Sequence, residues 1–146
     1  MNEPDRIDTQ ELFEDLDTET LLYILDNIPL DITFVNKDDV VTYFNMPMGK
    51  QHAFPRVELD LGRKVQNCHP PKSVHIVQKI LDDFKTKKRK SADFWIHYHD
   101  KYLYIRYFPV YDKNGDYFGV LEVVQDISEI QKIKGERMLL DEESEN

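Results

Sequence analysis

The sequence feature that most constrains the fold is a run of aromatic and β-branched residues over positions 92–128. Two turn signals interrupt this run, one at positions 99–101 and a stronger one at 112–116, where Asn114 precedes Gly115. Residues of this kind favour extended strands, and short turns join strands that lie side by side. The run therefore predicts three antiparallel strands in meander order.

The side chains of the first two strands alternate between the two faces of the predicted sheet. A two-residue turn at Asp100-Lys101 gives these pairs across the hairpin: Tyr98 with Leu103, Ile96 with Ile105, and Phe94 with Tyr107. One face is then apolar, whereas the other face carries Trp95, His97, His99, Tyr104 and Arg106. This pattern predicts a sheet with one buried, concave side, which the preceding part of the chain must cover.

The first half of the chain predicts one helix and two further strands. Apolar residues at helical spacing follow Asp17 and Thr18, either of which can cap the helix, and Pro29 ends it. Two short strands are predicted at 31–36 and 40–45.

The middle of the chain predicts a second helix over residues 71–84, which begins with a proline in its first turn. At 100° per residue its apolar side holds Val74, Val77, Ile80, Leu81 and Phe84, with Ser73 at the edge. Its polar side holds Lys72, His75, Lys79, Asp82 and Asp83. The predicted fold class is α+β: an antiparallel sheet with a helical lid on one face and flanking N- and C-terminal helices.

The sequence divides into three segments. We expect an acidic N-terminal tail at 1–16, a folded domain at 17–128, and a C-terminal helix with an acidic tail at 129–146. The helix is predicted from near-heptad spacing of Ile127, Ile130, Ile133 and Leu140, which suits pairing with a second copy in a homodimer. A frayed tail is the alternative.

Composition limits the range of functions. The 146-residue chain has a formal net charge of −9, which argues against nucleic acid as a partner because phosphate binding needs a basic surface. It contains one cysteine, so it forms no internal disulfide. Neither a signal peptide nor an apolar run of membrane-spanning length is visible, and we expect a cytoplasmic protein with no membrane partner.

Several local features resemble a PAS domain. Asn45 ends the second predicted strand, residues 112–119 resemble the turn into the last PAS strand, and residues 125–129 resemble the Asp-Ile-Thr-type ending that precedes a signalling helix. A narrower resemblance, to the PAS module at the C-terminus of bacterial proteins with a hemerythrin-like domain, rests on residues 62–73, 94–96 and 121–130. The resemblance implies a bacterial sensory or interaction module rather than an enzyme.

The candidate ligand site is the cup between the sheet and the lid helix. Glu122 alternates in phase with Val120 and Val124, so it points into this cup unless Leu121 and Val123 face inward instead. A carboxylate there needs a partner, because burying it alone is costly. The predicted ligand-binding residues are Cys68, His69, Ser73, Val77, Ile96, Ile105, Tyr107, Glu122 and Val124.

The function that these features favour is signal transduction in which a small molecule in the cup alters the terminal helices. The alternatives are a ligand-free dimerisation module with a collapsed core, and a haem or metal sensor. His75 lies on the polar side of its helix, and His97 with His99 makes an incomplete zinc site, so we expect colourless protein and name no cofactor. Cys68-His69 has no visible oxyanion site, and no enzymatic activity is expected.

Overall fold

The computed structural model describes residues 14–46 and 60–145. The elements in chain order are helix α1 (Thr18–Asn27), strands β1 (Asp31–Asn36) and β2 (Val41–Phe44), helix α2 (Val74–Lys85), and strands β3 (Ala92–Tyr98), β4 (Lys101–Tyr111) and β5 (Tyr117–Asp126). Short 3-10 turns lie at Val65–Cys68, Pro71–Ser73, Ile130–Lys132 and Leu139–Glu145. The predicted α+β class is confirmed, while most of the predicted N-terminal tail lies outside the described residues.

The five strands form one antiparallel sheet in the order β2-β1-β5-β4-β3. The last strand of the chain therefore lies in the centre, between β1 and β4. This arrangement brings the two halves of the chain together, because β5 is hydrogen-bonded to the first strand on one side and to the meander on the other. The predicted meander of β3, β4 and β5 is confirmed.

The predicted register of the β3–β4 hairpin is wrong by two residues. The turn lies at His99-Asp100, so that Tyr98 pairs with Lys101 and Phe94 pairs with Ile105. His99 adopts a left-handed backbone conformation with φ of 54°, which places the reversal one residue earlier than expected. Because a shift of two residues preserves the alternation, the predicted assignment of side chains to the two faces still holds.

Helix α1 is held to the sheet through polar contacts rather than through a buried apolar face. Its predicted cap is confirmed, since the Asp17 carboxylate accepts a hydrogen bond of 2.7 Å from the backbone N–H of Thr20. At its other end, the fully buried Asn45 amide donates at 2.8 Å to the carbonyl oxygens of Leu25 and Leu30. The Asn45 side-chain oxygen accepts from the N–H of Ile32 at 2.9 Å. This one side chain thus joins α1, β1 and the end of β2.

Helix α2 covers the inner face of the sheet. Leu81 and Phe84 are buried in a cluster with residues from three strands and the start of β3: Val35, Val41, Ala92 and Val120. Burial of these side chains holds the helix in place, since each large apolar side chain contributes about 1.5–3 kcal/mol when removed from water. A second cluster of Leu103, Ile105 and Val124 lies farther along the sheet.

One residue predicted on the polar side of α2 is buried. Asp83 is only 9% exposed, and its carboxylate contacts Lys79 Nζ at 3.1 Å and Arg89 Nε at 3.4 Å. The chain after the helix folds back and brings Arg89 to this carboxylate, which the helical spacing alone could not indicate.

The signalling helix predicted after β5 is not formed as an α-helix. Two 3-10 turns, Ile130–Lys132 and Leu139–Glu145, take its place, with Gly135 between them at a positive φ of 65°. The apolar side chains of this segment are exposed, Ile133 at 73% and Leu139 at 94%. A short helix without a buried face is marginal in water, which accounts for the difference.

Candidate ligand cavity

A cavity of about 570 Å³ lies between the inner face of the sheet and helix α2. Its volume falls within the range of small-molecule sites, roughly 300–1,000 Å³. Most predicted ligand-binding residues line it: Cys68, His69, Ser73, Val77, Ile105, Tyr107 and Glu122. The arrangement can enclose a small organic molecule with an apolar body and a few polar groups.

The sheet side of the cavity carries a row of polar side chains across three adjacent strands. Glu122 in the central strand β5 pairs in register with Thr33 of β1 on one side and with Tyr107 of β4 on the other. All three residues line the cavity, and Glu122 is partly buried. The prediction that Glu122 points inward with Val120 and Val124 is confirmed. A carboxylate therefore lies between two hydroxyl-bearing residues on the floor of the cavity.

Aromatic rings border this polar row. Phe94 and Tyr107 both line the cavity and contact each other edge to face, with their ring centroids 6.1 Å apart. Such a pair presents both the electron-rich face and the positive edge of an aromatic ring. The cavity can therefore contact apolar and cationic groups alike.

The lid side is formed by one stripe of helix α2 and the turn before it. Its residues follow helical spacing: Ser73, Ile76, Val77, Ile80, Leu81 and Phe84. Ile76 was absent from the predicted apolar side, although its spacing from Ser73 and Ile80 could have identified it. The stripe gives the cavity an apolar roof.

The rim is formed by residues that precede α2. His69 Nδ1 lies 2.9 Å from the carbonyl oxygen of Val65, and a carbonyl can only accept, so Nδ1 carries a hydrogen. In the neutral form of this ring, Nε2 is then an acceptor. Cys68 is exposed at this rim, with its Sγ 3.7 Å from the Lys64 carbonyl oxygen.

Arg63 also lies at the rim. Its Nη2 donates at 2.7 Å to the carbonyl oxygen of Asn67, and its Nη1 lies 4.0 Å from the Asp60 carboxylate. All three residues line the cavity, although none of them was predicted. They belong to an irregular connection, which has no periodicity from which a site could be read.

A buried carboxylate holds the rim against the sheet and the lid. Asp39, 8% exposed, accepts from Gln66 Nε2 at 3.0 Å, and Lys85 Nζ lies 3.0 Å from Oδ1 and 3.3 Å from Oδ2. Its carbonyl oxygen accepts from the N–H of Val65 at 2.8 Å. The pKa of the nearby Tyr117 is raised to about 12, mainly by burial and secondly by the negative charge of Asp39. Asp39 thus ties the β1–β2 turn to the cavity rim and to the end of α2.

Two predicted ligand-binding residues do not line the cavity. Ile96 lies on the edge strand β3 and is 41% exposed, because this strand extends beyond the cover that α2 provides. Val124 is 1% exposed and belongs to the second core cluster. Thr33 lines the cavity but was missed, although period-two alternation with Val35 could have identified it.

The histidines considered as metal ligands lie elsewhere. His75 is exposed on the outer side of α2, and the His97 ring stacks on Tyr102 with a centroid separation of 4.3 Å. Within residues 14–46 and 60–145, no group of three potential metal ligands comes together. In the same ranges, no helix is both long enough and apolar enough to cross a membrane.

The end of β5 is fixed by a compact polar turn. The Asp126 carboxylate accepts hydrogen bonds from Ser128 Oγ at 2.6 Å and from the N–H groups of Ser128 and Tyr102 at 3.0 and 3.3 Å. The Ser128 contacts keep the pKa of Asp126 below its usual value. The strand that carries Glu122 therefore ends in a hydrogen-bonded turn.

Comparisons with known proteins give a consistent picture. A model of the PAS domain matches residues 21–128. Among solved structures, the chain is 37% identical to a C-terminal domain from Streptococcus mutans, with a TM-score of 0.75, covering 82% of this chain and 91% of that one. A search of curated proteins found no match.

Two more distant structures share the fold. A PAS domain from Colwellia psychrerythraea is 16% identical with a TM-score of 0.53, over 76% of this chain and 97% of that one. A sensory box sensor histidine kinase from Vibrio cholerae is 17% identical with a TM-score of 0.50, over 80% of this chain and 96% of that one.

Proposed function

This chain belongs to the PAS domain family, whose members are generally sensory or interaction modules, and we propose that it senses a small molecule bound between its sheet and helix α2. The observation that carries the proposal is the cavity of about 570 Å³ with a polar row on an apolar floor. A collapsed core, as expected of a ligand-free dimerisation module, would leave no such space.

The proposed signal passes through strands that line the cavity and lead to both ends of the domain. Strand β5 carries Glu122 and ends at the Asp126 turn, from which the C-terminal segment leaves. Strand β1 carries Thr33 and follows α1, whose end is fixed by Asn45. A ligand that binds one arrangement of these strands better than another shifts the population of the terminal segments.

Ligand binding can be tested by thermal-shift screening of a metabolite library with a cavity-filled variant. Val77→Phe projects a ring into the cavity, whereas His75→Phe places the same ring on the exposed side of the same helix. We expect compounds that raise the Tm of the wild type to do so for His75→Phe but not for Val77→Phe. Equal responses of the two variants would contradict the proposed site.

We further propose that the module forms a homodimer through its terminal segments. Helix α1 has no buried residue and exposes Leu21, Leu22, Tyr23 and Ile24, and the C-terminal segment exposes Ile130, Ile133, Leu139 and Leu140. Exposed apolar surface of this kind favours self-association. Analytical ultracentrifugation should detect a dimer that weakens in Ile130→Lys/Ile133→Lys. A wild-type monomer at all micromolar concentrations would contradict the proposal.

The cellular setting that fits this function is a bacterial cytoplasmic signalling protein. We also propose that the module belongs to the PAS subgroup that ends hemerythrin-like-domain proteins. The sequence resemblance over residues 62–73, 94–96 and 121–130 is the basis of this assignment. This assignment is tested by co-purification with a hemerythrin-like domain, with which we expect a specific complex. Failure to form the complex would count against the subgroup but not against ligand sensing.

A further inference from the structure

We propose that the ligand of this cavity is a small organic cation, an ammonium or amidinium compound with a compact apolar body. The inference rests on the proposed function, because it assigns the chemical class of the molecule that the cavity binds. It is drawn from the charge, the hydrogen-bonding groups and the aromatic rings of the lining.

The sheet side of the cavity favours a positively charged donor. Among the described residues that line this side, Glu122 is the charged one, and the same side carries the buried apolar residues Val35 and Val120. A charge is less screened beside apolar groups than in water, so its attraction for an opposite charge is stronger. A carboxylate has roughly four lone-pair sites, so it can accept from protein donors and from a ligand at the same time.

The rim supplies hydrogen-bond acceptors, and the positive charge of Arg63 there lies beside a carboxylate. The guanidinium of Arg63 is engaged by the Asn67 carbonyl oxygen at 2.7 Å and by the Asp60 carboxylate at 4.0 Å. The Asp60 carboxylate also lines the cavity, and its negative charge repels an anionic ligand. When the ring of His69 is neutral, it keeps Nε2 as an acceptor, because Nδ1 donates to Val65. The rim therefore complements a ligand that donates hydrogen bonds.

The aromatic pair adds a second feature that suits a cation. Phe94 and Tyr107 line the same cavity as Glu122, and Tyr107 is the register neighbour of that glutamate. A cation held by the carboxylate thus lies beside an aromatic ring, whose electron-rich face attracts positive charge. The apolar roof from Val77, Ile80 and Leu81 accommodates the body of the molecule.

Three planar compounds of nearly equal shape test the inference: benzamidine, benzamide and benzoate, which are cationic, neutral and anionic. Dissociation constants for the wild-type protein are measured by ligand-observed magnetic resonance. We expect benzamidine to bind at least about tenfold more tightly than benzamide, and benzoate to bind most weakly, because hydrogen bonds between charged groups are the strong ones. Glu122→Gln should remove the advantage of benzamidine and change benzamide binding by less than about threefold.

Glu129→Gln provides the matched control, because Glu129 is 86% exposed and lies outside the cavity. This variant should bind all three compounds like the wild type.

The wild-type protein also gives a test that does not depend on the folding of a variant. Benzamidine should slow the alkylation of Cys68, the one cysteine of the chain, more than benzamide does at the same concentration.

The possible results separate the two proposals. Equal or tighter binding of benzamide or benzoate would overturn the cationic ligand class while leaving small-molecule binding in place. A benzamidine preference that persists in Glu122→Gln would also overturn it, since the selectivity would then arise elsewhere. If none of the three compounds binds at millimolar concentration, the cationic ligand class fails, whereas the proposed function fails only if the thermal-shift screen also finds no compound that distinguishes Val77→Phe from His75→Phe.

Discussion

Replacing Asn45 by aspartate should strongly destabilise the domain although the two side chains have nearly the same shape. The aspartate can still accept from the N–H of Ile32, but it cannot donate to the carbonyl oxygens of Leu25 and Leu30 as the amide does. Leaving a buried polar group without its partner costs about 1–3 kcal/mol, so two lost donors cost about 4 kcal/mol at neutral pH. That is a large fraction of the stability of a domain, typically 5–15 kcal/mol.

The destabilisation by Asn45→Asp should depend on pH. Two carbonyl oxygens and complete burial disfavour a negative charge at this position, so the pKa of the introduced carboxyl is raised in the folded state. The neutral acid, which regains one donor, is favoured in the fold. The variant is therefore closest to the wild type below the unfolded pKa of about 4, and it loses stability as the pH rises through the folded pKa.

Urea denaturation at several pH values measures both effects. Asn27→Asp is the matched control, because the exposed Asn27 amide donates to the Tyr23 carbonyl oxygen within the same helix. We expect it to cost less than about 1 kcal/mol. A loss of under about 1 kcal/mol for Asn45→Asp at neutral pH would refute the assignment of Asn45 as the joint between α1 and the sheet.

Three further substitutions test the packing around the cavity. Gly119→Ala should cost about 3 kcal/mol or more in urea denaturation, because an added Cβ would overlap the Val35 carbonyl oxygen. Lys85→Met should cost about 2 kcal/mol, because it leaves the buried Asp39 carboxylate without its ion-pair partner. Tyr117→Phe should remove the ultraviolet titration with a pKa near 12. Because folding raises the pKa of this phenol, its contribution to stability is complete below about pH 10 and is lost as the pH rises towards 12.

The first two of these substitutions each have a control at an open position. Gly135→Ala meets no atom within 4 Å and should cost only the strain of a positive φ, about 1 kcal/mol. Lys132→Met breaks a pair in which both side chains are exposed and should change stability by less than about 1 kcal/mol. If any control costs as much as its partner substitution, the reasoning from local contacts is wrong for that site.

Alternation and helical spacing were sufficient to predict the parts of the cavity that lie on regular elements. The inward direction of Glu122 follows from its phase with Val120 and Val124, and the position of Val77 follows from the apolar stripe of α2. Even the wrong hairpin register left the faces correct, because it was displaced by an even number of residues.

The features that the sequence could not predict depend on contacts between distant segments. Asp83 has the spacing of a solvent-facing residue, but Arg89 returns from beyond the helix and pairs with it. Arg63 enters the cavity rim from a connection without periodicity. The extent of α2 over the sheet, which leaves Ile96 exposed, depends on packing in three dimensions and not on local pattern.

The central claim, that a small molecule binds between the sheet and α2, is tested most directly by intermolecular nuclear Overhauser effects. A compound that raises the Tm of the wild type is added to methyl-labelled protein. We predict contacts from its protons to the methyl groups of Val35, Val77 and Leu81, which line the cavity from opposite sides. Contacts confined to exposed residues such as Ile96 and Ile133 would contradict the account.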